Sequence, residues 1–377
     1  MSSIPRRVQL EVDLDTLRAN FGKIARTVAP CAVLAVLKAN AYGLGVRPIA
    51  KALAAAGATR FGVAELHEAL ELVDLGLPVH ILGGVLPEEI EPAVGAGLIL
   101  AITDRATAGR ISSESLRQGR VTRCHFKIDT GMGRLGILAD EAEALIRDVQ
   151  RLPGLDCEGI YTHFPMAYHS GSVFTEQQIR IFVALLEQLE RVGVRFHLRH
   201  IANSDAINNF PRTYQPPFNA VRTGINLYGC FDLEGRRVLD LHSVLTMKTR
   251  LTAVRDLPAG MTIGYGCSIT LARPTRVGTV SAGYADGLPT ALSNGGHVLV
   301  HGRPCPVLGR VSMDYTTVDL NAVPEAQYGD EVICLGGSGA AQVSVEQWAR
   351  LKGTHPYEVI CSIGSRVERR YVERGSA

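Results

Sequence analysis

The chain has 377 residues, of which 46% are hydrophobic and 20% charged, with a formal net charge of +2. That balance gives no electrostatic footing for nucleic acid or for an acidic membrane surface, and the length exceeds one ordinary core. A globular protein of two domains with a small-molecule partner is the expectation.

The opening stretch MSSIPRRVQLEVDL has two arginines but no apolar segment behind them, and nowhere do about 18 consecutive apolar residues occur, so neither export nor a membrane span is expected. The eight cysteines, Cys31, Cys124, Cys157, Cys230, Cys267, Cys305, Cys334 and Cys361, are scattered without a C-x-x-C pair. Such spacing fits reduced thiols in a cytoplasm.

From residue 31 to about 230, eight short apolar runs alternate with helical stretches. They are AVLAVLK (32–38), RFGVAE (60–65), VHILGG (79–84), LILAIT (98–103), CHFKIDTG (124–131), EGIYTHF (158–164), RHIANS (199–204) and VRTGINLYG (221–229). Between them, residues 64–76 read as a helix, and TEQQIRIFVALLEQLERVG (175–193) sets Ile179, Phe182, Leu185, Leu186 and Leu189 at helical spacing. Strand then helix, eight times, predicts an α/β fold with a parallel (β/α)8 TIM-type barrel; a doubly wound sheet is the competing architecture. After about residue 240 the segments become short, β-branched and punctuated by Gly and Pro, which predicts a mostly β C-terminal domain. The expected division is 1–238 for the barrel and 239–377 for the β-rich domain, with residues 8–13 a candidate to pair with the second.

In a barrel the C-terminal ends of the strands carry the active site, so the polar residue closing each run is informative. These are Lys38, Glu65, Lys127 with Asp129, His163, Asn203 with Ser204, and Arg222. Lys38 ends six apolar residues and reads either as an amine reaching for water or as a nucleophile made neutral by desolvation or a neighbouring cation. Tyr42, in a Gly-bounded loop, offers a hydroxyl to an anion or simply packs. VRTGINLYG joins Arg222 to a glycine turn at Gly224 that could face a phosphate, with Ser204 just upstream. GMGRLG (131–136) matches a dinucleotide fingerprint, but it follows the fifth strand and places Arg134 where a pyrophosphate should approach. DTG (129–131) mimics an aspartic-protease triplet with no second copy. The pairs His197/His200 and His297/His301 lack a third metal ligand at a helpful spacing and read as solvated or core histidines, so no metal is expected.

Nine co-linear motifs, VLKANAYGLG, FKIDTGMGRLG, YTHF, ANSDA, VRTGINLYG, IGYG, SAGYADG, GRVSMD and THPYEVIC, together resemble bacterial alanine racemase. The match runs from about residue 5 to 371. The resemblance implies an isomerase that uses pyridoxal 5'-phosphate on a barrel followed by a β domain, interconverts L- and D-alanine, and supplies D-alanine for peptidoglycan.

Residue by residue, the resemblance makes Lys38 the amine that holds the cofactor aldehyde and then acts as base on one face of the substrate. Tyr265, in IGYG, resembles the base on the opposite face, reaching the site from the partner subunit of a head-to-tail homodimer. Arg222 resembles the arginine facing the pyridine nitrogen, oriented by His163. A guanidinium donates a hydrogen bond without readily giving up its proton, so it leaves the ring a weaker electron sink. Tyr42, Ser204, Tyr357 and the amides of Gly224 and Ile225 resemble a phosphate cradle, and Arg134 with the Met313 amide resembles the binding site for the substrate carboxylate. In many relatives the lysine matching Lys127 is carbamylated; unmodified, Lys127 would repel Arg134, so a carbamate is expected there, with pairing to Asp129 as the alternative.

Leu44, Thr223 and Ser312 replace a usual histidine, proline and cysteine, and FPMAY (164–168) is unlike the usual stretch after the histidine. These departures leave the catalytic groups in place and bear on exclusivity for alanine. A broader amino-acid or serine racemase of the same fold is the alternative, as is a fold-related decarboxylase or aldolase; a cofactor-homeostasis protein without enzymatic activity is disfavoured by the β domain carrying Tyr265.

Overall fold

The computed structural model describes residues 4, 6–338 and 341–373. Contacts divide the chain into two compact units, one of residues 18–227 with 234–241 and the other of residues 1–17 and 228–233 with 242–377.

The first unit is a closed barrel. Its strands are β1 (Ala32–Val36), β2 (Arg60–Val63), β3 (Val79–Ile81), β4 (Ile99–Ile102), β5 (Thr122–Asp129), β6 (Leu155–Tyr161), β7 (Leu198–His200) and β8 (Ala220–Thr223). Each pairs in parallel with the next, and β8 pairs in parallel with β1 through Ala220–Ala32 and Arg222–Leu34, which closes the ring. All eight apolar runs of the sequence are therefore barrel strands, and the doubly wound alternative falls because its sheet would stay open. The strands read as mainly apolar runs because helices cover one face and the packed interior covers the other.

Sequence signals also set the helices. Val173–Arg191 begins at Ser172, whose hydroxyl accepts from the Thr175 amide at 3.1 Å, and buries Ile179, Phe182, Leu185 and Leu189. Burial of each such side chain contributes about 1.5–3 kcal/mol. Leu186 is only partly buried, at the margin of that stripe. Residues 64–76 form two short pieces, Leu66–Leu70 and a 3-10 turn at Val73–Leu75.

The second unit is mostly β. Its main sheet runs, in spatial order, Arg303–Pro306, His297–Val300, Glu331–Ser338, Leu245–Leu257, Gln9–Asp13 and Glu368–Val372. The N-terminal strand pairs antiparallel with Leu245–Leu257 and parallel with Glu368–Val372. Alternation along Leu245–Leu257 sends Leu245, Met247 and Leu251 into the core, where Leu10, Val12 and Trp348 are also buried. The sequence pattern missed two short helices here, Val345–Lys352 and Pro356–Cys361.

All eight cysteines are free thiols. Among the described residues, no helix is long and apolar enough to cross a membrane, and no group of three or more His, Cys, Asp or Glu side chains is placed to hold a metal.

Candidate active site

At the end of β1 the backbone takes a left-handed turn. Ala39, Asn40, Ala41 and Tyr42 have φ of 55°, 53°, 53° and 59°, a conformation that costs non-glycine residues roughly 1–2 kcal/mol each. Two side chains hold it. The Glu68 carboxylate accepts from the Ala39 amide and, at 2.8 Å, from the Ala64 amide, tying the loops after β1 and β2 together. Asn40 Oδ1 accepts from the Val46 amide at 2.7 Å. The turn leaves Lys38 exposed at the barrel mouth and buries Tyr42.

Tyr42 meets β8 at Gly224. A Cβ at position 224 would lie 2.0 Å from the Tyr42 hydroxyl, so only glycine fits. The Gly224 amide donates to Ser204 Oγ at 2.9 Å. Ser204 opens the helix Ser204–Asn209, and Ile225 opens the 3-10 turn Ile225–Tyr228. The Tyr42 and Ser204 hydroxyls thus meet at the start of a 3-10 turn, the donor chemistry that a phosphate needs, and a phosphate there would take over the Gly224 hydrogen that Ser204 now accepts. Gly224→Ala is expected to displace the Tyr42 hydroxyl and weaken binding of a phosphorylated cofactor at least tenfold, measured as the Kd from titration of the cofactor-free protein. An unchanged Kd would place the phosphate elsewhere.

Arg222 is buried in β8 and held on several sides. Its NH1 donates to the His200 carbonyl and to His200 Nδ1, both at 2.8 Å; its NH2 donates to the Thr162 carbonyl at 2.7 Å and reaches His163 Nδ1 at 3.4 Å. His200, legible in the sequence only as a solvated or core histidine, is therefore a nearer partner of Arg222 than His163. Burial brings the guanidinium down to about 10, below its usual range, yet still leaves it charged at neutral pH. Burial, with Arg222, Arg134, Lys127 and Lys38 nearby, holds His163 well below the ordinary imidazole value and therefore neutral.

Lys127, in β5, donates to the Leu82 carbonyl at 3.1 Å and lies 5.0 Å from the centre of the Tyr161 ring. The Arg222 guanidinium lies 5.3 Å from the same ring, and the Tyr161 hydroxyl donates to the Leu82 carbonyl at 2.8 Å. Desolvation, then the charges of Arg222, Arg134 and Lys38, lower the Lys127 ammonium to about 8.

The glycines of GMGRLG serve their own loop. Gly131, Gly133 and Gly136 have φ of 132°, 67° and 131°. The Asp129 carboxylate accepts from the Gly131 amide at 2.8 Å and the Gly133 amide at 2.9 Å. Asp129 thus shapes the loop that presents Arg134, which is exposed. Glu65, a strand-end candidate, is exposed; Glu68, one turn further on, is the carboxylate that braces the Lys38 loop.

The remaining candidates lie in the second unit. Tyr265 sits in the turn Tyr265–Cys267, between the paired segments Thr262–Ile263 and Ile269–Thr270, and is 73% exposed. Met313 is also exposed, in a loop braced by Arg366, which pairs with Asp314 at 2.8 Å and with Asp286 at 2.7 Å. Tyr357 is partly buried in the helix Pro356–Cys361, its ring 5.7 Å from that of His355. His301 pairs with Asp330 at 2.9 Å.

The donor set at the mouth fits a phosphorylated pyridine aldehyde: a strand-end amine, a buried cationic donor, and a cradle that admits no side chain at position 224.

Family models describe the same two parts. The alanine racemase N-terminal domain matches residues 12–232, and the alanine racemase C-terminal domain matches residues 244–371. The alanine racemase of Desulforamulus reducens is 42% identical over 368 residues, covering 96% of this chain and 98% of that protein. The solved alanine racemase of Clostridium difficile 630 superposes with a TM-score of 0.91 at 31% identity, covering 100% of this chain and 98% of that one. That of Bartonella henselae, solved with covalently bound pyridoxal phosphate, gives 0.87 at 30% identity and covers 98% of this chain and 100% of its own.

Proposed function

The chain belongs to the alanine racemase family, and from that premise we propose that it interconverts L-alanine and D-alanine with pyridoxal 5'-phosphate bound at the barrel mouth. The observation that carries the reading is the meeting of Tyr42, Ser204 and Gly224 beside a buried Arg222, on the rim that Lys38 occupies. Bound there, pyridoxal phosphate supplies a conjugated ring that delocalises the electron pair left on the substrate α-carbon.

The rest is the work of side chains. Inversion takes a proton from one face of the α-carbon and returns one to the other, which a single rigid group cannot easily do. Lys38 Nζ holds the aldehyde and then serves one face; the hydroxyl of Tyr265 of the partner subunit serves the other. Tyr42, Ser204, Tyr357 and the amides of Gly224 and Ile225 hold the phosphate. Arg222, braced by His163, donates to the ring nitrogen and keeps its own proton. Arg134 and the Met313 amide bind the substrate carboxylate. In this division the barrel binds the cofactor, and the β-rich domain delivers Tyr265 across a head-to-tail homodimer. The exposure of Tyr265, Tyr284, Met313 and Tyr315 on a single chain supports such a surface. Free thiols at all eight cysteines support a cytoplasmic setting, where the product would feed peptidoglycan synthesis.

Lys127 completes the reading as a carbamate. At about 8, roughly a tenth of this amine is neutral at pH 7, and the neutral form is the one that adds carbon dioxide. Carbamylation would exchange a buried cation for an anion facing Arg134 and Arg222. The protein loaded with 13C-bicarbonate is expected to show a carbamate carbon signal that Lys127→Arg removes; a signal that survives the substitution would assign the carbamate to another amine.

Racemisation itself is tested with the purified, cofactor-loaded protein on L-alanine, L-serine and larger L-amino acids. Alanine inverted fastest supports the reading, serine inverted fastest favours the broader racemase, and no inversion of alanine overturns it.

A further inference from the structure

Behind Arg222, a file of buried polar side chains enters the barrel, and the chemistry above uses only its outer end. His200 Nε2 lies 2.9 Å from His125 Nδ1, and His125 Nε2 lies 3.0 Å from Glu158 Oε2. Glu158 is clasped by Arg60 through two bonds of 2.7 and 3.1 Å, and Arg60 NH1 lies 3.3 Å from His80 Nε2. His80, His125 and His200 are each at most 2% exposed. The space is kept open on purpose: a Cβ at Gly159 would lie 2.5 Å from His125 Cε1.

The hydrogens in this file have one consistent direction. A guanidinium only donates, so with Arg222 in its observed place the His200 Nδ1 facing it accepts, and Glu158, which only accepts, demands the same direction from the other end. Burial, then the Arg222 charge, hold His200 well below the ordinary imidazole value, so it is neutral and carries its single hydrogen on Nε2. His125 Nδ1 must then accept, which puts the His125 hydrogen on Nε2, aimed at Glu158. Burial alone would raise the Glu158 carboxyl, but hydrogen bonds from His125 and Arg60 outweigh it and keep it ionised. The bonds therefore run Arg222 to His200 to His125 to Glu158, ending on a fixed negative charge.

We propose that Glu158, held by Arg60, is a positioning residue that acts through His125 and His200 to fix the His200 tautomer and thereby the orientation of the Arg222 guanidinium. The opposite tautomer of His200 would present a hydrogen to Arg222, and two donors facing each other at 2.8 Å would push the guanidinium off its axis. The inference rests on the assignment of Arg222 to the cofactor ring. It adds a carboxylate that touches neither cofactor nor substrate.

The first test needs no substitution. In the holoenzyme, nitrogen-15 spectra of the imidazoles are expected to show His125 and His200 as Nε2–H tautomers that do not titrate between about pH 6 and 9. A hydrogen on Nδ1 of His200, or a charged His200, overturns the proposal. The second is Glu158→Gln, which keeps shape and removes charge. A mixed His200 tautomer is expected, with kcat for alanine lowered about tenfold and KM little changed, and with the carboxylate of Glu158→Asp restoring part of both. Native tautomers in Glu158→Gln with unchanged kcat also overturn it. Arg222→Ala separates this inference from its premise: if that variant racemises normally, the assignment of Arg222 fails, whatever the tautomers are.

Discussion

Lys38→Ala is expected to abolish racemisation and covalent cofactor retention together. In the proposed reading the substitution removes both the amine that captures the aldehyde and the base that serves one face of the α-carbon. A positioned acid or base alone contributes about 10²–10⁴-fold, and loss of the nucleophile adds to it, so activity should fall at least about 10⁴-fold. The fold should survive, because Lys38 is exposed and Glu68 and Asn40 hold the left-handed turn after it. The check is paired: inversion of alanine by optical rotation, and borohydride reduction followed by peptide mapping. Label trapped on another lysine of the variant, with activity retained, would remove Lys38 from the chemistry.

Tyr265→Phe should separate the two faces. The overall equilibrium constant of enantiomers is one by symmetry, so kcat/KM must fall equally in both directions, by about 10²–10⁴-fold if the phenol is a general acid and base. Exchange behaves differently. In deuterated water, the enantiomer whose α-hydrogen faces Lys38 should still lose it to solvent, with its configuration retained, while the other enantiomer exchanges no faster than its residual inversion. Cofactor affinity should change little, since the hydroxyl is not among the groups that gather at Gly224. Equal washout from both enantiomers would mean that the tyrosine is not a base.

The barrel was legible because most positions of its eight strands are covered on both faces, so that each strand centres on a short apolar run. The closing polar residues followed from the same geometry, and Lys38, Lys127, His163, Ser204 and Arg222 all lie at or near the ends of those runs. What hid was whatever depends on closure of the ring. His125, Glu158 and His200 are 33 and 42 residues apart in sequence order, and no spacing rule joins residues from neighbouring strands at such separations. Glu68 hid because a carboxylate in the first turn of a helix reads as ordinary helix-dipole chemistry. The left-handed backbone of residues 39–42 had only Asn40 for a signal, since alanine and tyrosine are poor candidates for positive φ. GMGRLG misled in the opposite way: its glycines answer to the curvature of an arginine-bearing loop and not to a pyrophosphate.

The sheet of the second unit sets an order on biosynthesis. Its strand Gln9–Asp13 sits between Leu245–Leu257 and Glu368–Val372, so a segment that leaves the ribosome before the barrel has no hydrogen-bonding neighbours until strands more than 200 residues further along follow it. The barrel strands span residues 32–223 and can close while translation continues. During that interval the nascent chain carries a finished cylinder and the unpaired edge of Gln9–Asp13, the part for which a chaperone would have the most use.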